Sequence, residues 1–350
     1  MNLKLQDVQV EKERKWKLFT VTNENGMEVK FLNFGGIITE ICVPDRKGKL
    51  ENVVLSYKNY EDYLTNEDFL GALIGRVAGR IKGAAFQIDD ERYALEANDG
   101  NHHLHGGSNG FHHVLWKAEP FKNKETAGVE FTYLSEDGES GYPGPVELKV
   151  TYSLNEENQF IIDYEAKSDQ STPLTLTNHA YFNLAGNAKN TIHHHQVNID
   201  SSSFAELDED LIPTGKLLEV DDTPFDFRKE RDLREGIESS SHQNLVAGGG
   251  YDHYFIFAQQ QQDAVVVKDR QSGRVMKVRT NQPGMVMYTS NNLNEAHHLA
   301  EGKSQKHLGV CLETQGSPAS LHEQGFPEIM LNPEEVYKKQ TVFAFEIENL

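Results

Sequence analysis

Cys42 and Cys311 are the only cysteines in the 350 residues of this chain, too few for the disulfide framework of a small secreted domain. Each lies in an apolar, strand-like run, Ile41-Cys42-Val43 and Val310-Cys311-Leu312, and reads as a buried free thiol. Asn-X-Ser/Thr glycosylation acceptors are absent as well. Long hydrophobic runs are missing: Met1-Asn2-Leu3-Lys4-Leu5-Gln6-Asp7 has no apolar core of the signal-peptide kind, and no stretch approaches a membrane span. Positive charge is scarce, with 34 Lys and Arg against 54 Asp and Glu, a formal charge of -20. That sign repels nucleic acid and anionic membranes, so neither is expected as a partner. A soluble, cytoplasmic protein is expected, and its 37% hydrophobic residues suffice for a core without staples.

What is present is strand upon strand. Lys17-Leu18-Phe19-Thr20-Val21-Thr22, Met27-Glu28-Val29-Lys30-Phe31-Leu32 and Ile37-Ile38-Thr39-Glu40-Ile41-Cys42-Val43 are β-type runs punctuated by Asn25-Gly26 and Gly35-Gly36. The same texture fills 129–134, 146–154, 160–166, 264–268, 275–280 and 285–289, at intervals typical of a sandwich. One short helix is expected at 59–66, a helical turn at 231–239, and irregular excursions at 208–215 and 221–228. No linker differs in composition from its flanks, so 1–350 is read as one all-β domain.

Four places carry titratable or polar side chains where burial is anticipated. Pro173-Leu174-Thr175-Leu176-Thr177-Asn178-His179 alternates with period two, so His179 shares a polar face with Thr175 and Thr177. A histidine there, beside Asn178 and Asn183, is either a proton donor over a hydroxyl-rich ligand or a structural group bonded to its neighbours. In Val310-Cys311-Leu312-Glu313-Thr314-Gln315, a carboxylate sits between apolar residues, which calls for an ion partner or a catalytic purpose. Arg80, in a glycine-rich stretch with Gly71, Gly75, Gly79 and Arg76, is at a site or in a surface ion pair. Asp252, after Gly248-Gly249-Gly250-Tyr251, is a turn carboxylate or an acceptor aimed into a cleft.

Two patterns are misleading. Gly106-Gly107-Ser108-Asn109-Gly110 matches the serine-hydrolase elbow, but that chemistry needs a helix next, whereas Phe111-His112-His113-Val114-Leu115-Trp116 reads as strand. The runs His102-His103, His193-His194-His195 and His297-His298 have neither a helical His-Glu-x-x-His motif nor paired cysteines, so they read as solvated loops without metal.

Taken together, Gly75-Arg76-Val77-Ala78-Gly79-Arg80-Ile81, Leu104-His105-Gly106-Gly107, Thr177-Asn178-His179-Ala180-Tyr181-Phe182-Asn183-Leu184, Gly250-Tyr251-Asp252-His253 and Gly309-Val310-Cys311-Leu312-Glu313-Thr314-Gln315 resemble the aldose 1-epimerase (galactose mutarotase) family, in its order, over nearly the whole chain. The resemblance implies a large antiparallel β-sandwich with an open sugar-binding cleft and a free hexose of the galactose or glucose type as substrate. It implies Glu313 as base, His179 as acid, His105 assisting at the ring oxygen, and Arg80, Asp252 and Asn178 binding hydroxyls. Val286 stands where many members have Gln, and Gly79 where they have Asn, which leaves the sugar preference open.

That chemistry needs one base at the C1 hydroxyl and one acid at the ring oxygen, exchanging roles on reclosure, so no cofactor or metal is expected. The negative charge of Glu313 is expected to hold His179 protonated, with Arg80 opposing. A hexose-phosphate epimerase, which would need a basic pocket, and a catalytically silent sugar-binding protein are the alternatives.

Overall fold

The computed structural model describes residues 1–11, 14–258 and 263–348. Alternation of branched or aromatic residues with polar ones drives the strands. In Val146–Asn155 and Gln159–Ser168 the inward set is Val146, Leu148, Val150, Tyr152 and Leu154 against Phe160, Ile162, Tyr164 and Ala166. The described residues form a nine-stranded sheet in the order Lys117–Lys122, Thr126–Ser135, Val146–Asn155, Gln159–Ser168, Tyr337–Ile347, Arg274–Thr280, Val265–Asp269, His195–Ile199, Arg231–Asp232. A six-stranded sheet faces it, in the order Tyr181–Phe182, Val310–Gln315, Gly284–Tyr288, Asp252–Ile256, Ser203–Leu207, Pro213–Glu219. A five-stranded sheet runs from Asn2–Glu11 to Leu50–Asn52 in chain order. Ladder pairs in all three are antiparallel, as the short turns dictate.

The inner face of the six-stranded sheet fixes the outer one. Phe255, Met285, Met287, Val310 and Leu312 turn into a core shared with Phe131, Tyr164 and Phe343, and Thr314 Oγ1 lies 2.6 Å from Thr341 Oγ1 on the opposing sheet. Period two therefore sends Asp252, Tyr254, Val286, Tyr288, Cys311, Glu313 and Gln315 to the other face.

Several sequence expectations change. Asn2–Glu11 is a strand despite its polar composition, because it is the outermost of its sheet and pairs only with Arg14–Thr22. The helix at 59–66 is a 3₁₀ turn, Tyr60–Leu64, and the turn at 231–239 is the short helix Arg234–Ile237. The excursion at 208–215 runs into a strand, Pro213–Glu219. Phe111–His113 is a 3₁₀ turn rather than strand, tied by the His113 N–H donating to the Gly110 carbonyl at 2.9 Å. Pro173 to His179 is not one strand with a polar face: Thr172–Pro173 pairs with Met330–Leu331, and Thr177–Asn178 with Leu73–Ile74. Changing partners covers both faces, and every residue from 172 to 186 is buried.

Arg76 secures the segment that ends in Arg80. Its buried guanidinium meets no carboxylate; it donates to the carbonyls of Pro143, Gly144 and Glu136 at 2.9, 2.8 and 3.0 Å and to Ser135 Oγ at 2.7 Å. Burial lowers its pKa to about 10, so it stays charged at neutral pH. Arg76→Ala strands those carbonyls and is expected to lower stability by about 3 kcal/mol or more, read from the urea midpoint at constant slope; a midpoint unchanged from the wild type would contradict this role.

Candidate active site

The outer face of the six-stranded sheet floors a cleft of about 200 Å³. Register places Glu313 opposite Val286 and Val286 opposite Tyr254, and in the next row Cys311 opposite Tyr288 and Tyr288 opposite Asp252. Phe69, Arg80, His105, His179 and Tyr181 complete the wall nearest Glu313.

His179 enters where its segment leaves one partner for another. Its N–H donates to the Ala72 carbonyl at 2.8 Å, and two residues on Tyr181 pairs with Cys311. Its Nε2 thus lies 3.5 Å from Glu313 Oε1 although 134 positions separate the two in sequence. The other carboxylate oxygen, Oε2, is buried and has no hydrogen-bond partner.

Arg80 and His105 come together because His103–Leu104 pairs with Arg80–Ile81. The His105 N–H donates to the Gly79 carbonyl at 3.2 Å, and the Gly79 N–H donates back to His105 Nδ1 at 3.1 Å. His105 sits at φ +52°, and Gly106 must lack a side chain, since a Cβ there would stand 2.0 Å from the Gly75 carbonyl oxygen. Arg80 lies between two carboxylates, its Nε 2.7 Å from Asp99 Oδ2 and its Nη1 3.6 Å from Asp252 Oδ2. Arg80 thus lines the cleft and is ion-paired at the same time.

Burial dominates the electrostatics. It pushes the Glu313 carboxyl well above its ordinary range, helped by Asp252 and opposed by Arg80. It pulls His179 down to about 4, against a hydrogen bond to the residue's own backbone, and His105 well below its usual value, with the neighbouring His179 and Arg80 adding to the fall. The expected hold of Glu313 on a protonated His179 is therefore outweighed: desolvation penalises both ions, raising the carboxyl and lowering the imidazole. Asp252 is also raised by burial despite Arg80, whereas Arg80 itself ends above its usual value, because Asp252 and Asp99 outweigh its own burial.

His105, His179 and Glu313 form the one described cluster with a metal-like donor set, their ligand atoms within 4.8 Å of one another. The tautomer does not suit a metal. With Nδ1 accepting from Gly79, the neutral His105 ring carries its hydrogen on Nε2, leaving no free lone pair for a cation and one N–H donor for the cleft.

Asn178 does not reach the cleft. Its Nδ2 donates to the Gly71 carbonyl at 2.9 Å and to Tyr152 Oη at 3.2 Å, and its Oδ1 accepts from the Ala180 N–H at 3.0 Å. Ser108 is exposed, outside the cleft lining, and its Oγ donates to Glu96 Oε2 at 2.8 Å. The histidine runs are not all solvated: His195 is buried and accepts from the Leu184 N–H at 2.7 Å, and His297 Nε2 lies 2.6 Å from Asp68 Oδ2.

Two further residues line the cleft, Phe69 and Gln315, and a third, Cys311, backs it. Phe69, at φ +55°, sets its ring 4.7 Å from His105 and 5.8 Å from His179; no local pattern marks it. Gln315 Oε1 is buried without a partner, and Cys311 Sγ lies 3.5 Å from His179 Nδ1. The 311, 313, 315 alternation signals both of these.

An all-β sandwich whose monosaccharide-sized cleft is floored by a desolvated carboxyl and imidazole defines an enzyme of carbohydrate conversion. The sequence pattern of the family described as aldose 1-epimerase matches residues 17–344. A galactose mutarotase of Sus scrofa is 39% identical over 327 residues, covering 92% of each chain, and an aldose 1-epimerase of Streptococcus thermophilus is 32% identical, covering 89% of each. A crystal structure of galactose 1-epimerase from Lactobacillus acidophilus superposes with a TM-score of 0.89 at 29% identity, covering 99% of each chain. The chain belongs to the aldose 1-epimerase family, carbohydrate isomerases that interconvert the anomers of aldoses.

The raised Glu313 value has a consequence for stability. Its folded pKa exceeds the unfolded one, so unfolding releases a proton above about pH 4.5 and the folded state loses ground as pH rises. Glu313→Gln removes that cost. Thermal melts should show it matching the wild type below about pH 4.5 and melting a few degrees higher at pH 7; a lower melting temperature at pH 7 would contradict the burial account.

Proposed function

We propose that Glu313 takes the proton from the C1 hydroxyl of a free hexose of the galactose or glucose type while His179 delivers one to the ring oxygen, opening the ring. Rotation about C1–C2 and reclosure with the roles exchanged give the other anomer. The observation that carries this reading is the pair itself, Nε2 3.5 Å from Oε1 with Oε2 unpartnered. A sugar hydroxyl donating to Oε2 favours the carboxylate, so binding draws the shared proton across to His179 and arms both groups. The Nε2–H of His105 points a second donor at the ring oxygen, and Arg80 with Asp252 offers a donor and an acceptor to the remaining hydroxyls.

A phosphorylated substrate fits poorly: Glu67, Asp68, Asp252 and Glu313 line the cleft, against Arg80, which Asp99 and Asp252 already engage. Free Cys42 and Cys311 support a cytoplasmic location. A core reaching from Phe19 to Phe345 supports one working domain.

Polarimetry on freshly dissolved α-D-galactose and α-D-glucose tests the roles. Rapid relaxation is expected for the wild type and a loss of at least about 10²-fold for Glu313→Gln and His179→Asn; near-normal rates in either variant would remove that residue from the mechanism.

The pH dependence follows from the pair. kcat/KM should fall on the acid side as His179 takes up a second proton near pH 4, and on the alkaline side as the shared proton is lost from Glu313, whose value is raised. A rate falling between pH 7 and 6 with a histidine-like midpoint would contradict the depressed His179 value.

A further inference from the structure

We propose that Cys311 is a positioning residue for His179: its sulfur accepts the Nδ1–H of the imidazole, so that Nε2 is the nitrogen left to trade protons with Glu313 and the sugar. This rests on the reading of His179 and Glu313 as the acid and base.

One strand reaches both ring nitrogens. In Val310–Gln315, residues 311 and 313 point to the same face. Cys311 Sγ lies 3.5 Å from Nδ1, and Glu313 Oε1 lies 3.5 Å from Nε2. The imidazole is therefore held from both ends by alternate side chains of a single rigid element. The cross-strand row Tyr181, Cys311, Tyr288 closes round it, with ring centres 5.1 and 6.3 Å from His179, and Phe69 stands 5.8 Å away on another side. Among the described residues no other side chain bonds Nδ1.

The tautomer follows from proton balance. In the proposed arrangement the Glu313 carboxyl O–H donates across the 3.5 Å contact and Nε2 accepts, so the remaining ring hydrogen is on Nδ1 and needs, beyond the residue's own backbone, an acceptor in a buried site. Sulfur supplies a weak, uncharged one. Burial, with Glu313, Asp252 and Asp68 nearby, pushes the Cys311 thiol well above its usual range and keeps it neutral. A carboxylate in that place would raise the ring's proton affinity far more than a neutral thiol does. A thiol fixes the geometry and leaves the proton free to move.

The test uses the full-length protein labelled with ¹⁵N. Two-bond proton–nitrogen spectra of free wild-type protein should show His179 with its neutral hydrogen on Nδ1. Cys311→Ala should mix or reverse that tautomer and lower kcat about tenfold, the worth of one hydrogen bond, with KM within about twofold because no sugar contact is removed. Cys311→Ser, whose hydroxyl also accepts, should restore the tautomer and most of kcat. The proposal is overturned by a wild-type hydrogen on Nε2, by an alanine variant with unaltered tautomer and kcat, or by serine and alanine losing activity alike with the tautomer unmoved. If the alanine variant does not fold, the wild-type spectrum and the serine variant decide alone. The spectrum is read without substrate, so full activity of His179→Asn would end the catalytic reading while leaving the Cys311 contact separately judged.

Discussion

Removing one carboxyl from water is the constraint to which the cleft answers. Glu313 is 2% exposed and His179 4%, so neither can ionise as it would on a surface, and each is useful because of the other. An isolated buried charge would be intolerable, and an apolar replacement would be more stable. The pair instead carries one proton that is easily relocated. Phe69, Tyr181 and Tyr288 keep bulk water from levelling the two groups, and the sheet beneath, with Met285, Met287 and Leu312 packed into the core, denies the carboxylate any retreat. A carboxyl buried in this way has a proton affinity above that of a solvated glutamate, which suits the proposed ring opening at a weakly acidic hydroxyl.

The rest of the cleft's charge is balanced locally. Arg80 lies 2.7 Å from Asp99 and 3.6 Å from Asp252, so its field on Glu313 is partly cancelled. Were it unpaired, it would hold Glu313 ionised and weaken it as a base. Instead it presents polar atoms with little net field. That arrangement suits a neutral, hydroxyl-rich molecule, for which the cost of entry is set by hydrogen bonds rather than by charge.

Much of this was legible in the sequence because strands announce themselves by period. The alternation in Val310–Gln315 is enough by itself to put Glu313, Cys311 and Gln315 on one face, and the motif resemblance picked out Arg80, His105, His179 and Asp252, all of which line the cleft. The failures share a cause. The polar face of 173–179 and the solvated loop of His195 rest on local pattern, and the role of Asn178 on the resemblance, but their surroundings come from distant partners: Leu73 and Ile74, Tyr152, and the Leu184 amide. Phe69 was invisible since its position depends on a backbone excursion to positive φ, which no side-chain spacing encodes. The protonation of His179 was misjudged for a related reason: proximity to a carboxylate could be guessed, whereas the depth of burial that outweighs it could not.

The two departures from the family pattern also find physical settings. Gly79, at φ +88°, runs beneath Pro318, whose Cγ would lie 3.0 Å from any Cβ there, so a larger residue would need that proline to move. Val286 lies directly across from Glu313 in the ladder. Where many members carry a Gln, Val286 offers no hydrogen bond across the ladder, and Glu313 Oε2 is left without a partner among the described residues. The apolar side chain thereby adds to the burial that raises the carboxyl's proton affinity. The polar groups of the cleft lie farther along the floor, Asp252 with Arg80 and Gln315 with its unpartnered carbonyl oxygen.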